Sequence, residues 1–218
     1  MLFESTLPDG RRIVFRPIEP GDKEVLVHGF ERLSPQSRYR RFFRAIDHLS
    51  ESQLRYLTEV DGHNHVAWVA LLPNEPVESA GAGVARWIRL KDDPLAAEGA
   101  VTVVDELHGM GIGTTLLHLL GREAIARGIR NFKAWVMGEN QQVLTMMSEL
   151  GAHPGRWEAG ALEMTIPLPE DPEELEATPA PLILKAVAEG RLTGRSAPGA
   201  RGTHLMLPDG EGDQPIRP

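Results

Sequence analysis

The stretch Val103-Val-Asp-Glu-Leu-His-Gly-Met-Gly-Ile-Gly-Thr-Thr-Leu-Leu117 carries an apolar strand into glycines at alternate positions, Gly109, Gly111 and Gly113, and then straight into an amphipathic helix. Glycines so spaced let the backbone approach a ligand closely and turn successive N–H groups the same way. The helix that follows adds unpaired N–H donors and the positive end of its dipole. The chemistry this favours is anion binding, a phosphate or diphosphate above all. A nucleoside-triphosphate loop needs Lys-Ser/Thr after its last glycine, and here Thr114-Thr115 follow with no lysine. A dinucleotide loop needs G-x-G-x-x-G, and counting from Gly109 puts Thr114 where the third glycine belongs. A glycine-rich turn that binds nothing is the alternative the loop leaves open.

Such a loop has to be held by the strand before it and the elements after it. A Val-rich strand is expected at about 98–104, a helix at about 113–127 and a strand at 130–137. That order is a βαβ unit, so the two strands should run parallel. Upstream, Pro8-Asp9-Gly10 reads as a turn into a strand, and Pro20-Gly-Asp opens a helix near 21–33. Ser34-Pro35 stops that helix and starts another, and Ser50-Glu-Ser-Gln opens a third, to about Val60. Val66–Leu72 and Ala80–Leu90 are strands divided by Pro73-Asn-Glu-Pro76. A helix at 140–150 and weaker strand signals in 153–166 follow. The fold class is α+β, one central mixed sheet flanked by helices.

Composition narrows the function. The chain has 218 residues, 41% hydrophobic and 25% charged, with a net charge of −8. That is globular usage, and the acidic balance argues against a nucleic-acid partner, which needs clustered Lys and Arg. With no cysteine, disulfides, thiolate zinc sites and thiol nucleophiles are excluded. No apolar run approaches the roughly 20 residues of a membrane span, and Met1–Arg12 lacks the order of a signal peptide. The expectation is a soluble cytoplasmic protein without a membrane partner. Every aromatic residue precedes residue 168, whereas Pro, Gly, Glu and Ala dominate after it. Residues 1–168 therefore read as the folded domain and 169–218 as a mostly flexible tail, with Pro181–Gly190 as a short helix that docks on the domain or on a partner. Leu-Pro-Asp-Gly recurs at 7–10 and 207–210 as a common turn sequence rather than a structural repeat.

Segment 103–114 resembles motif A of the GNAT superfamily of acyl-CoA-dependent N-acyltransferases, an apolar strand, Gln/Arg-x-x-Gly-x-Gly/Ala and a helix. Here it reads His108-Gly109-Met110-Gly111-Ile112-Gly113. Asn140-Gln-Gln-Val-Leu-Thr-Met-Met-Ser-Glu-Leu-Gly151 resembles motif B. Arg16-Pro-Ile-Glu-Pro-Gly-Asp22 and Phe30-Glu-Arg-Leu-Ser-Pro-Gln-Ser-Arg-Tyr-Arg-Arg-Phe-Phe43 are similar to the opening of the catalytic domain of Pat-type bacterial protein lysine acetyltransferases. The resemblance covers about residues 6–166.

The resemblance implies that acetyl-CoA is the cosubstrate. Its diphosphate would sit on the amides of Gly109, Met110, Gly111, Ile112, Gly113 and Thr114, beside His108, with Asn140 opening the motif B helix. Its pantetheine arm would run along Val101, Thr102 and Val103. Counting back from His108, the family's general base falls on Glu98. A lysine amine, with a pKa of about 10.4, must lose a proton before it attacks a thioester, and a carboxylate beside that thioester is a sensible acceptor. A solvated strand-end carboxylate is the alternative for Glu98. Asp105 and Glu106 precede the loop and should face solvent, since pointing inward they would repel the anion.

Three positions depart from the family pattern. His108 stands where Gln or Arg is usual, and Met110 replaces a basic residue, so less positive charge should face the diphosphate. Met147 occupies the place of a Tyr that protonates the leaving thiolate in many members. The acceptor is expected to be a protein lysine, with a small-molecule amine, or a CoA-binding module without turnover, as alternatives. A homodimer is compatible with the sequence.

Other features carry less. His63-Asn-His65 has metal-ligand spacing, but with no third ligand near, a plain loop is expected and no metal. Arg38-Tyr-Arg-Arg-Phe-Phe-Arg44 reads as an amphipathic helix with Phe42 and Phe43 in the core and arginines outside, or as one placing some arginines near the acceptor or the CoA phosphates. Trp68, Trp87 and Trp135 are expected in the core. No G-x-S-x-G hydrolase elbow is present.

Overall fold

The apolar runs of the sequence become the strands of one mixed sheet in a computed structural model, which describes residues 2–42, 46–138, 141, 144, 145, 148, 151–158 and 160–177. In chain order the elements are β1 (Phe3–Thr6), β2 (Arg12–Pro17), α1 (Lys23–Glu31), α2 (Pro35–Phe42), α3 (Glu51–Thr58), β3 (His65–Leu71) and α4 (Val77–Ala80). They continue with β4 (Gly81–Arg89), β5 (Ala96–Val103), α5 (Ile112–Ala126), β6 (Asn131–Met137), β7 (His153–Glu158) and β8 (Ala161–Pro167). The strand order is β1-β2-β3-β4-β5-β6-β8-β7. Every neighbouring pair is antiparallel except β5 and β6, which run parallel as the βαβ order requires.

Two apolar layers sandwich the sheet. On one face α5 buries Leu116, Leu120 and Ala124, spaced by four residues, against Trp68, Trp87, Ala97 and Val103. On the other face Ala67, Val69 and Val84 meet Ile18 and Leu26 beneath α1. Because side chains alternate along a strand, Ala97 and Val103 on the α5 side put Glu98, Ala100 and Thr102 on the α1 side. Trp68 and Trp87 are core residues, 1% and 0% exposed.

The entrance to α1 is fixed electrostatically. The Arg16 guanidinium donates to both oxygens of the buried Asp22 carboxylate, at 2.7 and 2.6 Å, and Asp22 also accepts the Glu19 N–H at 2.8 Å. Within Arg16–Asp22, the string that carries part of the sequence resemblance, this clamp is structural. Ser50 and Gln53 form a reciprocal cap on α3, each side chain accepting the other's backbone N–H. Pro154 sits on β7, at the sheet edge, where its missing N–H costs no ladder bond.

The described fold runs past Leu168. A 3₁₀ turn at Pro172–Ala177 lays Leu175, 1% exposed, on α5 at Gly121, where a Cβ would come within 2.8 Å of the leucine. The segment Pro181–Gly190 and the second Leu-Pro-Asp-Gly lie outside the described residues. Of the helix expected at 140–150, residues 141, 144, 145 and 148 are helical. No helix among the described residues is long and apolar enough to cross a membrane.

Leu120 is fully buried at the centre of the α5 layer. Leu120→Ala should lower unfolding free energy by about 2–5 kcal/mol in a urea titration. Asp22→Ala, which leaves Arg16 without its carboxylate, should cost on the order of 3 kcal/mol.

Candidate active site

Strand β5 is paired with β4 from Ala97 to Val103 but with β6 only at Ala96–Asn131, Ala97–Phe132 and Glu98–Lys133. Beyond Glu98 the two parallel strands separate. The β6 side of residues 99–103, which includes Val101, Thr102 and Val103, is left without a neighbouring strand. Backbone polar groups on such an edge need partners from elsewhere. This open edge leads directly into the glycine loop.

In the loop Gly109 and Gly111 have φ of +79° and +83°, a left-handed conformation that a side chain would strain. Among the described residues, no N–H from Gly109 through Thr114, Met110, Ile112 and Gly113 included, donates to a protein acceptor; Thr115 is the first to bond back, to the Gly111 carbonyl at 3.0 Å. The N-terminus of α5 has no side-chain cap. The result is a row of bare donors at the positive end of a buried helix, the arrangement that binds an anion.

The residues around the loop hold it rather than fill it. His108 turns its ring back, and its Nε2 meets the Val103 carbonyl at 2.9 Å, tying the loop to the end of β5. Its role here is as a brace. Asp105 does not face solvent as expected. It accepts from the Ser34 N–H at 2.9 Å and the Ser37 hydroxyl at 2.7 Å, anchoring the start of α2. Burial would raise its pKa, but the hydrogen bonds from Ser37 and Ser34 outweigh that and hold it below the usual carboxylate value. Glu106 is exposed as expected and pairs with Arg32 at 2.7 Å. Arg11, ion-paired with Asp9 at 2.7 and 2.9 Å, brings its guanidinium to 3.9 Å from the Met110 sulfur, so the loop has an ion pair beside it that motif A alone does not reveal. Asn140 and Met147 lie outside the described residues.

Glu98 is buried, 9% exposed, rather than a solvated strand end. It stands at the last β5–β6 pair, on the face opposite α5, and its charge acts on Arg41 and Tyr56. Also on this face is Arg86, 2% exposed, which donates through one Nη to the Leu57 carbonyl at 3.1 Å and meets His65 Nε2 at 3.0 Å. The Tyr56 ring packs on His65 with centroids 5.2 Å apart. Burial lowers the Arg86 pKa to about 9, helped by Arg41, and burial lowers that of Arg41 to about 10, so both remain cations at neutral pH.

The expected position of the arginines is therefore corrected in part. Arg38 lies over the Phe30 ring at 4.5 Å and bonds the Leu33 carbonyl, while Arg41 points inward. The Arg41 guanidinium lies over the Phe42 ring at 4.8 Å, and Phe42 in turn packs on Phe30 at 5.8 Å between centroids. Phe43 lies outside the described residues. His63-Asn64 is a loop that enters β3 at His65, capped by Asp61, whose carboxylate accepts the backbone N–H groups of all three residues at 2.8 Å.

The fold agrees with that of known proteins. The profile of the GNAT acetyltransferase family matches residues 28–152. The chain is 30% identical over 146 residues to "Acetyltransferase PA5475" of Pseudomonas aeruginosa, covering 67% of this chain and 77% of that protein. It is 32% identical over 160 residues to "Acetyltransferase Pat" of Mycolicibacterium smegmatis, covering 73% of this chain but only 47% of Pat. The crystal structure of the GNAT domain of S. lividans PAT superposes with a TM-score of 0.63 at 27% identity, over 77% of this chain and 97% of that domain. The chain belongs to the GNAT acetyltransferase family and is related to its Pat-type members.

His65 supplies a prediction. Burial first, and Arg86 next, hold its imidazole neutral, with a pKa of about 3. In the unfolded chain it would titrate near 6.5. The unfolded state therefore takes up the proton first as pH falls, and stability is lost from about pH 6.5 down to about pH 3. The melting temperature of the wild type should fall more steeply between pH 7 and 5 than that of His65→Gln; parallel curves would contradict this placement.

Proposed function

We propose that the protein transfers an acetyl group from acetyl-CoA to an amine, favouring a lysine side chain of a protein, with Glu98 as general base. The observation that carries this reading is the coincidence of three features on β5. The strand loses its neighbour at Glu98, exposes an edge over 99–103, and ends in the bare amides of Gly109–Thr114. An extended thioester arm fits such an edge as an added strand, and a diphosphate fits the loop.

Acetyl-CoA supplies the activated carbonyl and a good leaving group. The chain supplies the rest. The loop amides and the α5 N-terminus bind the diphosphate. An amide on the β5 edge polarises the thioester oxygen. The amine attacks the carbonyl carbon, the C–S bond breaks, and CoA leaves as its thiolate, while Glu98 accepts the proton that the amine gives up. The similarity to acetyltransferase Pat and to the PAT GNAT domain supports the acetyltransferase reading, and the Pat-type resemblance of the sequence at Arg16–Asp22 and Phe30–Phe43 is what favours a protein lysine. Glu98 lies on the face lined by α1–α3, so the acceptor approaches from that side.

Two measurements test this. Release of CoA thiol from acetyl-CoA should depend on added lysine peptide, and a thiol reagent reports it cleanly because the chain has no cysteine. Glu98→Gln should reduce kcat by about 10²–10⁴-fold with acetyl-CoA affinity retained. Unchanged turnover would remove Glu98 from the mechanism.

A further inference from the structure

A cavity of about 70 Å³, room for several waters, lies between the sheet and helices α1–α3. Most of its wall is apolar, with Leu26, Phe30 and Val84 among the lining residues. The polar groups there are the guanidiniums of Arg41 and Arg86 and the hydroxyl of Thr102. Among the described residues, neither guanidinium is within ion-pair distance of a carboxylate. Arg86 makes its contacts through one nitrogen only, and Arg41 has no hydrogen-bond acceptor among the described residues. The Thr102 hydroxyl is buried with no partner among the described residues.

A buried guanidinium is costly to leave unpaired, and a guanidinium fork matches a carboxylate in shape and charge. Even with the Glu98 carboxylate acting on Arg41 from the same face, two guanidiniums at one small cavity leave a positive balance there, which favours an anion. Of the common anions, a carboxylate on a short stem suits a cavity that is apolar elsewhere. Thr102 belongs both to this cavity and to the open edge of β5, so an occupant would be continuous with the place where a thioester arm would lie.

We propose that this cavity is a carboxylate-binding site for a reactant whose short apolar stem ends in a carboxylate. Arg41, Arg86 and Thr102 hold the carboxylate, and the walls from α1 and β4 hold the stem. The group belongs either to the acyl donor, as a dicarboxylic acyl thioester, or to the acceptor. The site rests on the reading above only in taking this face as the side where reactants meet.

The primary test needs no turnover, so its failure is separable from that of the acetyltransferase reading. Butyrate and butyramide are titrated into the protein and binding is followed calorimetrically or by amide NMR. Butyrate should bind at least about tenfold more tightly, the worth of a charge-assisted hydrogen bond. Arg41→Gln should abolish that preference and Arg41→Lys should keep part of it, with thermal melts establishing that both variants are folded. Equal binding of the two probes, or a preference untouched in Arg41→Gln, would overturn the proposal. Thiol release then separates the sources. Faster turnover of succinyl-CoA than of acetyl-CoA assigns the carboxylate to the donor; faster turnover of an amine acid than of its amide assigns it to the acceptor. No preference in either arm would overturn the assignment to a reactant.

Discussion

Strand β5 keeps its ladder with β4 through Val103 but loses β6 after Glu98. An interior strand with one bare edge is unusual, because unpaired backbone groups must find other partners. The rest of the site depends on this separation. It provides the open edge over 99–103, leaves Glu98 at the fork, and lets the chain leave β5 into a loop whose amides also lack partners. Had the ladder continued to Met137, no extended ligand could join the sheet there.

The separation is tolerated because each strand is well held on its other side. β6 is paired along its length with β8, and β5 with β4. The α5 layer of buried leucines covers β3, β4 and β5 from one face. On the other face the helices are held by polar clamps, Arg16 with Asp22 and Asp105 with Ser34 and Ser37. Asp105 also illustrates economy of position. A carboxylate beside a phosphate loop would repel the ligand, but turned toward α2 it links the loop region to the helices on the opposite face.

Much of the fold was legible in the sequence because periodicity and punctuation agreed. The run Val66–Leu72 could only be a buried strand, Ser34-Pro35 divided two helices as it should, and the 98–137 order required a parallel pair. Short α4 escaped notice because four residues give no period. The shape of the loop at Gly109–Gly113 was legible too, since glycines before a helix mark the left-handed turns that Gly109 and Gly111 make. The face beneath α1–α3 was not. Arg86 and Arg89 interrupt the apolar run Ala80–Leu90, which was a signal, but the partners of Arg86, His65 and Leu57, are distant in sequence. Arg11 comes beside Met110 only through the fold, and no local motif encodes that approach.

The central claim is that an acyl-CoA lies along the open edge of β5 and ends on the loop. The most direct test is an amide NMR titration of the protein with acetyl-CoA. The account predicts large shifts at Val101–Val103 and Gly109–Thr114, with little change along β1 and β2. Binding that shifts other amides instead, or no binding at all, would contradict it.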